Sequence, residues 1–312
     1  MRHCGITEAM AGCLLKHEEG RTDMSETRPG GPTVLRMILG RQLQALREKA
    51  GMSYDQAAAV IYTSPHTVRR MEKAEGALKP LNVKSLLMAY GITDVREVDA
   101  FLDLARDASK PGWWHGYDDV LPSWFRTLIG LEEAATVIRG YDPQWIPGLL
   151  QTPDYARASV ATGFPDATAE EVQRRVDLRL ARQHILTRPD PPRLWLVIDE
   201  AALRRAAAST SPEVMRAQLA KLTEDAQKPN VTLQVLPFAA GFHPAMYGPF
   251  RIFRFDGQDQ PDIVYGESMT SAWYIDKPDE AALYIQALDR VSAQATPGAD
   301  AVKVLRQIRK EI

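Results

Sequence analysis

The stretch S-P-H-T-V-R-R-M-E-K-A-E-G, Ser64 to Gly76, decides how the amino-terminal third of this chain is read. Ser64 can accept a hydrogen bond from the first free N–H groups of a helix, and Pro65 fits the first helical position, where its missing N–H costs nothing. Val68 and Met71, three apart, share one face, which leaves Pro65, His66, Thr67, Arg69 and Arg70 on the others. Gly76 is expected to close the helix.

Working outward, apolar Met37, Ile38, Leu39, Leu43 and Leu46 recur at helical spacing between Met37 and Ala50, and Gly51 stops that helix. Ser53 caps the next one, with Gln56 three residues on completing a capping box before the run Ala57 to Ile61. Two further helices, Leu81 to Tyr90 and an acidic Val95 to Ala108, complete a five-helix unit. Helices this short must bury their apolar stripes against one another to persist. Two capped helices joined by a tight turn, the second carrying outward basic residues, form the layout in which the second lies in the DNA major groove.

Roles follow from chemistry. Arg70 is the residue expected at a base edge, because a guanidinium grips guanine O6 and N7 together. His66 and Thr67, near the start of the same helix, are secondary candidates. Arg41, Tyr54 and Arg69 suit phosphates, and Ser53 and Ser64 turn two helix amino ends toward an anionic partner.

The formal charge of the 312 residues is −2, so a uniformly basic nucleic-acid binder is excluded. Yet Val34 to Ile92 holds nine basic and four acidic side chains, net +5, which concentrates positive charge around the proposed helices. An isolated Arg-Arg pair on a helix is ordinarily a solvated surface. Its capped, ordered and locally basic surroundings favour the DNA-facing reading here.

Apolar residues make up 45% and charged residues 25%, which predicts folded domains with proper cores. Cys4 and Cys13, both near the start, provide no disulfide framework, and a reducing cytoplasm is the expected compartment. No apolar run reaches the roughly 18 residues of a membrane span. His3, Cys4, Cys13 and His17 have zinc-binding atoms at a spacing foreign to zinc fingers, so no metal and no cofactor is expected. Residues 1–33 read as a flexible tail, or as an upstream extension preceding a start at Met24, after which S-E-T-R-P-G-G-P reads as a flexible leader.

Residues 34–109 are expected to form the helix-turn-helix domain. K-P-G-W-W-H-G-Y-D-D-V-L-P, residues 110–122, mixes helix breakers with aromatics and reads as a docked connector. Beyond it, residues 123–312 mix periods. Helices are expected over Trp124 to Ile138, Ala169 to Thr187, Pro212 to Lys228, Pro278 to Ala293 and Ala301 to Ile312. Strands are expected at Leu194 to Asp199, V-T-L-Q-V-L-P, P-F-R-I-F-R-F, D-I-V-Y-G-E and A-W-Y-I. The fold class is therefore multi-domain, a helical bundle followed by an α+β domain with a mixed or mostly antiparallel sheet.

At this point the chain resembles a known family. Met37 to Glu75 is similar to the phage-repressor (XRE-type) helix-turn-helix through L-R-E-K-A-G-M-S and S-P-H-T-V-R-R-M-E. P-G-W-W, Y-D-P-Q-W-I-P-G-L-L-Q-T-P-D-Y-A-R-A, E-E-V-Q-R-R-V-D-L-R-L-A-R-Q, P-P-R-L-W-L-V-I-D-E-A-A-L-R-R and P-N-V-T-L-Q-V-L-P-F resemble the large carboxyl-terminal domain of actinomycete Scr-type, antitoxin-like transcriptional regulators. The resemblance implies a sequence-specific regulator, often paired with a small protein encoded nearby and linked to development or secondary metabolism. It also implies base contacts at Pro65, His66 and Arg70 and a phosphate contact at Tyr54. Two positions depart from the pattern. Tyr62 stands at the turn where the family has glycine, so either the tyrosine adopts a left-handed conformation or the turn is rebuilt. Pro65 replaces a side chain that hydrogen-bonds a base and can only pack, as on a thymine methyl.

Asp199, Glu200 and His243 are the candidate acid-base groups of the second domain, with Asp118 and Asp119 in the connector. Neighbouring carboxylates on a strand point to opposite faces, and D-E-A-A-L-R-R reads more simply as the acidic first turn of a helix. No phosphate-binding, dinucleotide, zinc-hydrolase or serine-hydrolase motif occurs, and no catalytic residue is expected. His184 reads as packed or exposed. Arg174, Arg175, Arg179 and Arg182 could bind an acidic partner but read more simply as a solvated row, and Trp145, Pro147, Phe242, Tyr247 and Phe250 could line a small-molecule pocket but are favoured as core. The expectation is a cytoplasmic regulator that binds double-stranded inverted-repeat DNA as a homodimer, with a carboxyl-terminal domain for a small partner protein or an effector. The competing readings are an enzyme with an appended DNA-binding module and a toxin-neutralising interaction protein whose DNA binding is secondary.

Overall fold

The computed structural model describes residues 32–256 and 261–312. Contacts divide the chain into two compact units between Gly112 and Trp113. The flexible-tail and zinc-like readings of residues 1–31 lie outside the described residues. Among the described residues, twelve α-helices and one six-stranded sheet make a multi-domain α+β architecture with the helical unit first. Among the described residues no helix is long and apolar enough to cross a membrane.

The first unit contains α1 (Pro32–Lys49), α2 (Tyr54–Val60), α3 (Pro65–Glu72), α4 (Pro80–Ala89) and α5 (Val95–Ala108). Leu39, Leu43, Ala58, Val68, Met71 and Leu87 meet in its core. α1 begins earlier than the apolar spacing from Met37 indicates, because Val34 and Leu35 are buried too. It ends as expected. Gly51 adopts φ +67°, its N–H reaches Glu48 O at 3.0 Å, and Met52 N–H reaches Arg47 O at 3.1 Å. That reversal ties off the last carbonyls of the helix.

α3 stops earlier than the glycine at 76 predicts. Ala74 takes the left-handed position with φ 59°, and Glu75 N–H bonds Arg70 O at 2.9 Å. Gly76 then lies against the finished turn, where a Cβ would come within 3.2 Å of Met71 N. Glycine here serves close approach and not the reversal itself. Tyr62, at the turn between α2 and α3, accepts the left-handed region with φ 51° and leaves its ring in solvent.

Gly40 marks where α1 crosses α3. A Cβ at that position would sit 2.5 Å from Glu72 O and 2.9 Å from Met71 O. Helix propensity alone would favour alanine by about 1 kcal/mol, but forcing two backbones apart costs about 1 to 3 kcal/mol. We therefore expect Gly40→Ala to destabilise the unit. Faster amide exchange confined to α1–α3 would report the loss, and unchanged or slower exchange would contradict it.

The second unit holds α6 (Ser123–Ala134), β1 (Val137–Asp142), α7 (Pro153–Gly163), α8 (Ala169–Ala181), β2 (Arg193–Asp199), α9 (Glu200–Ser209), α10 (Pro212–Asp225) and β3 (Val231–Leu236). β4 (Phe250–Arg254), β5 (Ile263–Glu267), β6 (Ala272–Ile275), α11 (Pro278–Gln294) and α12 (Gly298–Glu311) follow. Strand order is β3-β2-β1-β4-β5-β6. β1, β2 and β3 run parallel, joined by helical crossovers, and β4 to β6 continue antiparallel from β1. In β2, Leu194, Leu196, Val197 and Ile198 are all buried, as a central parallel strand covered on both faces requires. α11 covers the face carrying Tyr141, Val197, Ile252 and Val264 through Leu288 and Val291.

Elements of this unit differ from the sequence reading, the helix expected over Ala169 to Thr187 ending at Ala181 and tightening into a 3-10 turn over Arg182–Leu186. The helix expected to run to Ile138 ends at Ala134, and Val137 opens β1, paired with β2 and β4. α7 was not expected, although Thr152 accepts from Tyr155 N and Pro153 follows it, the same capped start as Ser64-Pro65. Trp114 of the connector segment is buried among Leu121, Ile129 and Leu178 of the second unit.

Candidate nucleic-acid interface

The paired helix starts are built as their residue types dictate. Ser53 Oγ accepts from Gln56 N at 3.2 Å while Ser53 N donates to Gln56 Oε1 at 2.8 Å, closing the capping box of α2. At α3, Thr67 N donates to Ser64 Oγ at 3.2 Å, and the Ser64 and Thr67 hydroxyls lie 3.0 Å apart. Burial of Val68, Met71 and Glu72 fixes the rotation of α3. Pro65, His66, Arg69 and Arg70 are thereby exposed, and Thr67 is half-buried.

Tyr54 joins the two helices. Its ring lies between the guanidinium of Arg47, 4.0 Å from the centroid, and that of Arg69, at 4.9 Å. Arg69 is thus held beside the start of α2 by cation–π attraction. Arg70 is placed differently, donating from Nη2 to Glu75 O at 3.0 Å. To reach a base edge it must exchange that carbonyl for one on DNA. Arg41 is half-buried on α1, away from the α2–α3 turn in sequence.

The residue that sequence reasoning left out is Arg47. Buried with Glu72, it makes a two-pronged pair, Nε to Oε1 at 2.7 Å and Nη2 to Oε2 at 2.9 Å, and donates to Met52 O at 3.0 Å. The Glu72 hydrogen bond holds its guanidinium above the ordinary range against the cost of burial. One side chain therefore ties α1 to the end of α3 and supports the Tyr54 ring from below. No local pattern announces a pair 25 residues apart.

A family model described as a helix-turn-helix domain matches residues 38–101, spanning most of α1 to α5. That match identifies the first unit as a helix-turn-helix domain, the kind of unit that binds DNA in regulators. A second model, described as a domain of unknown function (DUF5753), matches residues 125–307, more than half of the chain. The chain belongs to the DUF5753 family. No curated protein and no solved structure matches it.

In the second unit the candidate acid-base residues divide: Asp199 and His243 meet at one tyrosine hydroxyl, while Glu200, Asp118 and Asp119 are held in other contacts. Asp199 Oδ2 accepts from the Tyr141 hydroxyl at 2.9 Å and Asp199 Oδ1 from Ala201 N at 2.8 Å, while His243 Nε2 lies 3.3 Å from the same hydroxyl. Glu200 is the first residue of α9 and holds Arg204 and the N–H of Phe238. Burial, then the Asp199 hydrogen bond, push the Tyr141 phenol well above its ordinary value, opposite to what an activated phenolate requires. Asp119 pairs with Arg174, and Asp118 with Arg126.

Two expectations for this domain need correction. Arg174 to Arg182 is not a solvated row. Arg182 is buried against Glu132, with bonds of 2.6 and 2.8 Å, Arg175 donates to Val120 O, and Arg179 to Gln151 and Ser159. The hydrogen-bond partners of these arginines come from other segments and not from the Asp and Glu residues near them in sequence. Nor are the named aromatics uniformly core. Pro147 and Phe250 are buried, but Phe242 and Tyr247 are 91% and 101% exposed and Trp145 is half-exposed. The glycines flanking 242–247 let that loop leave the sheet. His184 is half-exposed, with Nε2 3.1 Å from Glu133.

Proposed function

We propose that the chain is a sequence-specific transcriptional regulator of the Scr-type, antitoxin-like kind. In this reading it binds double-stranded, inverted-repeat operator DNA as a homodimer in the cytoplasm, and its DUF5753 domain receives a small partner protein or an effector. The observation that carries the proposal is the outer face of α3. Pro65, His66, Arg69 and Arg70 are exposed there on a helix whose rotation is fixed by Val68, Met71 and the Arg47–Glu72 pair.

On that face Arg70 reads a guanine edge, His66 and Thr67 touch neighbouring bases, and Pro65 packs on an apolar base feature. Arg69 and Tyr54, already stacked, engage phosphate together with Arg41 and the capped starts at Ser53 and Ser64. The DUF5753 domain is assigned no reaction, and the burial of Tyr141 supports that assignment. Twofold pairing places the recognition helices roughly 34 Å apart, about one turn of DNA.

Selection of bound duplexes from a random library tests the proposal. An inverted repeat with half-sites one turn apart is expected, and recovery of unpatterned sequence would contradict it. In a companion measurement, Arg69→Ala should weaken binding to all duplexes alike and lower the slope of log affinity against log salt by about 1. A sequence-dependent loss in Arg69→Ala would reverse the assigned roles.

A further inference from the structure

A cavity of about 200 Å³ opens in the second unit beside α7, lined by Gln144, Trp145, Tyr155, Ser159 and Arg205 among others. An engineered apolar cavity of about 150 Å³ is enough to take up benzene, so this one has room for a single ring. Its aromatic wall is the half-exposed indole of Trp145 beside the buried ring of Tyr155.

The polar lining is one-sided. Tyr155 Oη accepts from Ile146 N at 3.2 Å, which leaves its own hydrogen without an acceptor among the described residues. The Trp145 indole N–H, the Gln144 amide and the Arg205 guanidinium likewise make no hydrogen bond there. Ser159 is already committed, donating to Ala156 O at 2.9 Å and accepting from Arg179 at 2.7 Å. Arg179 stands behind it with no carboxylate partner among the described residues, and burial, followed by the charge of Arg182, pushes its pKa down to about 10. No Asp or Glu lines the cavity. Unused donors, the Arg205 cation in the lining, the positive charge of Arg179 behind it and an aromatic wall call for a ligand that is flat, apolar on its faces and acceptor-only at one edge.

The geometry points to a binding site for a single-ring aromatic carboxylate, its ring against Trp145 and its carboxylate on Arg205 and the Tyr155 hydroxyl. Phosphate would satisfy the charge but leave the indole wall uncovered. A neutral arene would do the reverse, leaving the donors unmatched. The site stands independently of DNA binding, so its test needs no operator.

Benzoate titrated into the full-length protein should quench tryptophan fluorescence saturably and give a one-site calorimetric isotherm. Because the sequence has six tryptophans, Trp145→Phe separates the sources. It should remove the quenching and weaken the calorimetric binding, because the indole is part of the wall; quenching that persists in Trp145→Phe would place the ligand elsewhere. Arg205→Met, an exposed position, should keep the native circular dichroism spectrum and weaken binding about tenfold or more. Inorganic phosphate and benzyl alcohol should each bind at least about tenfold more weakly than benzoate. The inference is overturned if benzoate gives no saturable isotherm, if Arg205→Met binds with native affinity, or if phosphate or benzyl alcohol competes as well as benzoate.

Discussion

Glu72→Ala is expected to remove about 3 to 5 kcal/mol from the stability of the helix-turn-helix unit, most of what a small domain possesses. The side chains of Arg47 and Glu72 are 8% and 2% exposed, so deleting the carboxylate leaves a guanidinium that water cannot reach to solvate. The damage is specific in place. Arg47 lies under the Tyr54 ring, Tyr54 carries Arg69, and Glu72 closes α3, so losing one carboxylate loosens the whole surface offered to DNA. Hydrogen exchange resolved by segment should show residues 32–108 opening while the sheet of the second unit stays protected. A double change, Arg47→Met with Glu72→Leu, should recover most of the lost protection, because an apolar pair of similar volume avoids the buried charge. A single-variant loss below about 1 kcal/mol would show that the pair is effectively solvated.

Glu132→Ala should have an effect of similar size, about 3 to 5 kcal/mol, in the other unit. Arg182 and Glu132 are each 7% exposed at the side chain, and Phe125 lies 4.7 Å from the guanidinium carbon. Burial would lower the Arg182 pKa, but the Glu132 carboxylate outweighs it and leaves it raised. Arg179, one helical turn earlier, already lacks a carboxylate and is further depressed by Arg182. Removing Glu132 therefore leaves two neighbouring cations with no carboxylate in direct contact and only the more distant charge of Glu267 to offset them. Exchange should accelerate in α6 and α8 and not in α1 to α5. Glu132→Gln, which keeps the shape and one acceptor, should fall between wild type and Glu132→Ala. Equal behaviour of the two variants would mean that packing, and not charge, holds this site.

What could be read from the chain tracks how local each signal is. The α2–α3 pair was legible because Ser53, Gln56, Ser64 and Pro65 act within one turn of themselves, and because Val68 and Met71 set the rotation of α3. β1 was not. Arg139 and Gly140 break its apolar alternation, and its six residues follow a helix whose periodicity runs on toward Ile138. Only pairing with β2 and β4, whose partners lie more than fifty residues away, makes it a strand. The Arg47–Glu72 and Arg182–Glu132 pairs were invisible for the same reason, being joined across 25 and 50 residues. Charge placed at helical spacing on α8 suggested solvent, but α6 and the connector segment carry the groups that draw those arginines in. The stop of α3 was misplaced by two residues because Ala74 accepts a backbone conformation that composition assigns to glycine.

The central claim is that the exposed face of α3 reads base edges, with Arg70 as its reader. Selecting bound duplexes in parallel with wild type and Arg70→Ala tests it most directly. The variant should still recover the inverted repeat but lose preference at one base position per half-site, about 1 to 3 kcal/mol of discrimination. The same motif, recovered with undiminished preference at every position, would contradict it.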